Sequence, residues 1–186
     1  EIVPMVVQDR LDIAAVPANL AATLYQKTDK DVSVLAVNTL GVLYLVENGD
    51  SVKSVEDLKG KTIYASGKGA TPEYALNSVL KANGIDPEKD VTVEFKSEHA
   101  EVVSALVQDQ TAVGLLPQPF VTTALMKNDK LKVALDLNKL WEDSMDDGSK
   151  LVTGVVIANN EFVQHHADKV NDFMDAYKES VDFVNS

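Results

Sequence analysis

Cysteine is absent from the 186-residue chain, which excludes disulfides, Cys-ligated metal sites and thiol nucleophiles. A thiol-free chain fits an exported protein that avoids stray oxidation. No apolar run approaches the roughly 20 residues a membrane-crossing helix needs. The chain opens on EIVPMVV, with neither a basic leader nor a small-residue cleavage site, so any export signal is expected outside this stretch.

Positive charge is also scarce. Asp and Glu outnumber Lys and Arg by 29 to 17, and the cations are scattered singly, with no basic stripe to neutralise a phosphate backbone. Nucleic acid is thereby excluded as a partner. There is no GxSxG elbow and no spaced cluster of His and carboxylates. His165 and His166 are adjacent, so on a helix they point about 100° apart and cannot grip one metal; they read as surface residues. The stretch DSMDDG resembles the start of a calcium loop, but Met145 stands at a ligand position and Gly154 at the twelfth, where a bidentate Glu is required. No catalytic residue, metal or cofactor is expected.

What is present is an internal repeat. Residues 1–38 align without a gap on residues 101–138. Glu1, Val3, Val7, Gln8, Asp9, Pro17, Thr23, Lys27, Asp29, Lys30, Leu35 and Asn38 are identical to their partners 100 positions on. Each copy reads as an amphipathic helix (Ile2, Val3 and Val6; Val102, Val103 and Leu106), an apolar strand (13–16; 113–116), a Pro-marked helix start and a second strand. Helices alternating with strands predict parallel α/β sheets, and a unit used twice at this distance predicts two similar lobes.

The second copy has a preface that the first lacks: strand 62–65, helix 72–82 and strand 91–95. If the lobes are duplicates, about 40 residues of lobe one precede this stretch. Lobe one is expected over 1–46 plus 150–186, and lobe two over 47–149, with crossovers near 38–48 and 148–158. The apolar stretch NTLGVLYLVENGD reads as the first crossover and hinge, and Ser54 as a helix N-cap after it. LVTGVVIAN reads as a buried return strand. A closing helix is expected from about Glu161, with Phe162, Val170, Phe173, Met174 and Tyr177 inward.

DIAAVPANLA, SVEDLKGKTIYASGKGATPEYAL, NGIDPEKDVTVEF and GLLPQPFVTTAL resemble segments of the NMT1/THI5-like, SsuA/TauA-type solute-binding proteins of bacterial ABC importers, the nitrate, sulfonate and taurine group. The resemblance covers nearly the whole chain. It implies the two-lobed α/β architecture of type II periplasmic binding proteins, each lobe a mainly parallel sheet flanked by helices, with lobe one incomplete here. It further implies a monomer, without enzymatic activity, that holds a small molecule between its lobes and delivers it to the membrane subunits of an ABC permease. Such a protein is exported, free in the periplasm or lipid-anchored outside the cell membrane. The same fold also serves thiamine-pyrimidine enzymes, whose cysteine-rich segment has no counterpart here, small-molecule lyases, and the sensing domains of LysR-type regulators, which an upstream helix-turn-helix would reveal. A small anion or zwitterion is the favoured ligand class, with a pyrimidine-like solute the alternative.

In open parallel sheets ligands bind beyond the carboxyl ends of strands, where loops lead into helix N-termini. Three turns qualify. Ser66-Gly67-Lys68-Gly69-Ala70-Thr71 is the first: its glycines permit close backbone approach, Thr71 is expected to cap a helix, Pro72 to stand at its first position, and Lys68 to pair with an anion. The repeat supplies the others, Pro17-Ala18-Asn19 and Pro117-Gln118-Pro119, each with an amide that donates and accepts. Thr39, beside the crossover, is a further candidate. Glu98 and His99 lie in a neighbouring loop expected to face the cleft, where either could contact a polar ligand or tune its charge preference; the preferred reading is a solvated loop.

Overall fold

The computed structural model describes residues 2–186. In chain order its elements are helix α1 (Ile2–Val7), strand β1 (Ile13–Pro17), α2 (Ala18–Lys27), β2 (Val32–Leu40), β3 (Leu43–Asn48), a 3-10 turn (Val55–Leu58), β4 (Thr62–Ser66), α3 (Thr71–Ala82), β5 (Thr92–Lys96), α4 (His99–Gln108), β6 (Val113–Pro117), α5 (Phe120–Lys127), β7 (Leu131–Asp136), α6 (Leu137–Ser144), β8 (Val152–Asn159), α7 (Asn160–His165) and α8 (Ala167–Val184). They form two compact units, residues 2–38 with 154–186, and Thr39–Thr153.

The larger unit is built on a five-stranded sheet in the order β5-β4-β6-β3-β7. β4 runs parallel to both β5 and β6, whereas β3 lies antiparallel between β6 and β7. The sheet is therefore mixed rather than purely parallel. Alternation along each strand sends side chains to two faces. Ile63, Ala65, Val113 and Leu115 meet Leu76, Val79 and Leu80 of α3 and Leu137 of α6 on one face. Val46 and Leu116 meet Val102 and Leu106 of α4 and Val121 and Ala124 of α5 on the other. Each such fully buried Leu, Ile or Val contributes about 1.5–3 kcal/mol of hydrophobic free energy. At the start of α6 the Asp136 carboxylate accepts from the N–H groups of Asn138 at 2.9 Å and Lys139 at 3.3 Å, a cap that stabilises by about 1 kcal/mol.

The smaller unit holds a three-stranded sheet, β1-β8-β2, with β1 antiparallel to β8. Val155, Val156, Ile157 and Ala158 of β8 are all buried, with Ala14 and Val16 of β1 and Leu24 of α2. The two units share one plan: a repeat strand and its successor flank an antiparallel strand, β1-β8-β2 in one and β6-β3-β7 in the other. The registers agree as well, since Pro17 lies opposite Gly154 as Pro117 lies opposite Leu43.

Several expectations change. Residues 39–46 and 150–153 belong to the larger unit, not to lobe one. The reason is that β3 pairs on both edges there, so the apolar stretch read as a hinge is a buried inner strand. The chain passes between units at Asn38–Thr39 and Thr153–Gly154. The closing helix is two helices, because His166, at φ −135° and ψ 43°, leaves helical geometry between α7 and α8. Of its expected inward residues, Val170 is buried and the other four are half-buried. Ser54 does precede a helical turn, and its backbone N–H donates to the Asp57 carboxylate at 3.0 Å.

Candidate functional site

In the larger unit, β4 and β6 are neighbours whose following helices leave to opposite faces: α3 to the face of Ile63 and Leu115, α5 to the face of Leu116. Crossovers that part between adjacent parallel strands leave a crevice beyond their carboxyl ends, which is where open α/β sheets hold ligands. The strand ends at that crevice are Ser66 and Pro117.

The loop after β4 turns on Gly67 and Gly69, at φ +77° and +74°, in the left-handed region that side chains with a Cβ avoid. The Ala70 N–H closes the turn on the Gly67 carbonyl at 3.0 Å. The cap differs from expectation. Ala70 is the N-cap of α3 and Thr71 its first residue, one position earlier than a Pro72 start implies. Ala70 has no side chain to cap with, and the Glu73 carboxylate instead accepts from the Gly69 N–H at 2.5 Å. One loop N–H is therefore held by the chain's own carboxylate. Lys68 is exposed, with its ammonium 5.8 Å from the centre of the Phe95 ring, a cation–π contact.

Ser66 shares a sheet face with Tyr64, toward α4 and α5, and is only 4% exposed. Its Oγ lies 2.5 Å from Nδ1 of His99, the first residue of α4. The imidazole also packs against Phe120, the first residue of α5, at a centroid distance of 4.5 Å and a 47° tilt. Burial pushes the His99 pKa below its ordinary value, against the opposing charge of Glu98. His99 is thus a half-buried, fixed ring and not part of a solvated loop. Strand parity was the signal: Ser66 and Tyr64 point to one side, and the helices on that side begin at His99 and Phe120. Ser66 is buried, and no carboxylate among the described residues bonds the other ring nitrogen.

Gln118 lies exposed at the end of β6, its backbone N–H bonded to the Val42 carbonyl at 3.0 Å. Its side-chain oxygen accepts from Thr122 Oγ at 2.9 Å and Thr122 N at 3.3 Å. That engagement leaves its amide NH2 as the group it can offer. Pro119 is the N-cap of α5, and the Gln118–Pro119 peptide is cis. In the smaller unit, Pro17 is the N-cap of α2 and Ala18 its first residue; the Asn19 carbonyl accepts from Thr23 Oγ at 3.1 Å. Thr39 stands near the end of β2, its carbonyl accepting from Thr153 Oγ at 3.3 Å. The structure thus gathers Ser66 to Thr71, Gln118 and Pro119 at the strand ends of the larger unit, while Pro17, Ala18 and Asn19 belong to the smaller one. His165 and His166 are exposed and line a cavity of about 470 Å3 with Asp9, Asp12 and Glu161. Among the described residues no three ligating side chains are arranged to hold a metal.

The fold is that of solute-binding proteins of ABC importers. The structure superposes on an ABC transporter protein of Parabacteroides distasonis with a TM-score of 0.68 and 23% identity, over 93% of this chain and 55% of the other. For the periplasmic aliphatic sulphonate binding protein SsuA of Escherichia coli the values are 0.72 and 17%, over 92% and 52%. For the alkanesulfonate-binding protein SsuA of Xanthomonas axonopodis pv. citri, bound to MOPS, they are 0.61 and 18%, over 93% and 56%. The chain spans little more than half the length of each. No curated protein sequence matches it. The NMT1/THI5-like family model matches residues 23–186, and the chain belongs to that family.

Proposed function

We propose that this protein is the solute-binding component of a bacterial ABC importer, exported from the cytoplasm, which captures a small molecule and passes it to a membrane permease without transforming it. The observation that carries the reading is the parting of the helices that follow the neighbouring strands β4 and β6, with a glycine turn, a fixed imidazole and the starts of three helices at that end of the sheet, in a chain of the NMT1/THI5-like family. Such a site offers N–H donors and no reactive nucleophile. The ligand contacts fall to Ser66 to Thr71, Gln118 and Pro119 on the larger unit, and to Pro17, Ala18, Asn19 and Thr39 as secondary candidates. A small oxyanion or zwitterion suits a donor-rich site. The protein acts as a monomer.

Thermal unfolding against a panel of inorganic anions, alkylsulfonates, amino-sulfonates and pyrimidines tests this. A ligand at about 100 times its dissociation constant adds roughly 2.7 kcal/mol, a rise of roughly 5 to 11 °C for a chain of this size. One class of compound is expected to give that rise. A flat panel, with turnover of one of its members, would replace transport by catalysis.

A further inference from the structure

The Ser66–His99 contact decides which way a donor faces at the crevice. A hydroxyl buried to 4% exposure needs a partner, and the imidazole is the one Ser66 has. A neutral imidazole donates from one nitrogen and accepts at the other. Were Nδ1 the donor, the Ser66 hydroxyl proton would be buried without an acceptor among the described residues, which is costly. With Ser66 donating to Nδ1, both groups are satisfied and the ring proton resides on Nε2. That nitrogen makes no hydrogen bond among the described residues, and Phe120 holds the ring in place.

We propose that His99 is a ligand-contacting residue whose Nε2–H donates to an oxygen of the bound solute, and that Ser66 is the positioning residue that selects this tautomer. The inference rests on the solute-binding reading above and adds the polarity of the contact: the atom received there is an acceptor, such as a sulfonate, carboxylate or carbonyl oxygen, and not an ammonium group. Charged groups near the ring on the surrounding elements are Glu98, the N-cap of α4, Glu101 in its first turn, Glu94 and Lys96 of β5, which pair with each other at 3.2 Å, and Lys68 and Glu73 around the start of α3; the first turn of α5 has no acidic residue. Glu101 and Glu73 are held by the N–H groups of Ser97 and Gly69. Glu98 is the charge that acts on His99.

The test uses methanesulfonate, whose charge is constant across neutral and mildly acidic pH, as the probe. Imidazole 1H–15N spectra of the unliganded protein are expected to show the Nε2–H tautomer for His99, and Ser66→Ala to change its tautomer ratio and pKa. Calorimetry is expected to show binding weakened about ten-fold or more by His99→Ala, retained in part by His99→Gln, and strengthened in the parent protein, but not in His99→Gln, as pH falls through the His99 pKa. Circular dichroism confirms folding, and His99→Gln stands in if the Ala variant is unfolded. An Nδ1–H tautomer, or unchanged affinity in both His99 variants, overturns this inference and leaves the solute-binding reading in place. If the parent protein binds neither methanesulfonate nor any member of the wider panel, both fall.

Discussion

Gly114 lies directly under Leu106. A Cβ built on Gly114 would stand 2.4 Å from Leu106 Cδ1, closer than carbon atoms approach, and 3.1 Å from Val102 Cγ1, a tight contact. The missing side chain is what lets α4 pack flat on β6, and α4 is the helix that begins at His99. Gly114→Ala is expected to destabilise by about 1–3 kcal/mol through overpacking. The single tryptophan, Trp141, packs against the core of the same unit and reports its urea unfolding by fluorescence. In a Leu106→Ala background, where the space is vacated, the cost is expected to shrink; an equal cost in both backgrounds would contradict the contact.

Gly69 and Gly84 share a backbone conformation, φ +74° and +69°, with nothing within 4 Å of a built Cβ. Valine at either position therefore meets the same left-handed strain, about 1–2 kcal/mol, and no clash. Gly69→Val is expected to abolish binding of whichever compound stabilises the parent protein, whereas Gly84→Val, at the far end of α3, is expected to bind normally. Far-UV circular dichroism and calorimetry on the two variants separate a contact from mere strain.

Glu47 is a buried carboxylate, 4% exposed, at an inner strand of the larger unit. Burial pushes its pKa up, but the Val52 N–H, the Ser51 hydroxyl and the Ser51 N–H, at 3.0, 2.7 and 3.0 Å, outweigh that and hold it below its ordinary value of 4.5. A folded pKa below the unfolded one means stability that is complete above about pH 4.5 and is lost as pH falls through the folded value. Glu47→Gln is expected to cost about 1–3 kcal/mol at pH 7 and to flatten the acid limb of the urea midpoint plotted against pH. A parallel acid limb in the variant would show that Glu47 is not the group responsible.

Much of the architecture was legible because it rests on local periodicity. The repeat predicted strands at 13–16 and 113–116, and β1 and β6 occupy 13–17 and 113–117 with the same 100-residue offset. The glycine turn 66–71 was legible for the same reason, since two glycines between an apolar strand and a Pro-marked helix restrict the backbone locally. Its cap was not: the donor that matters is the Gly69 N–H and its partner is Glu73, a choice that depends on how the loop closes.

The sequence by itself determined the alternation of helices and strands and the duplication, because 3.6- and 2-residue periods and tight turns are properties of neighbouring residues. Only the tertiary structure decided that LYLVEN and GVVIAN are equivalent antiparallel strands, each ending in a buried asparagine, Asn48 and Asn159, since their partners lie far away in the chain. It likewise joined Ser66 to His99 across 33 residues. Strand pairing and side-chain satisfaction are set by whichever segments the fold brings together, and an apolar run carries no mark of which edge it will join.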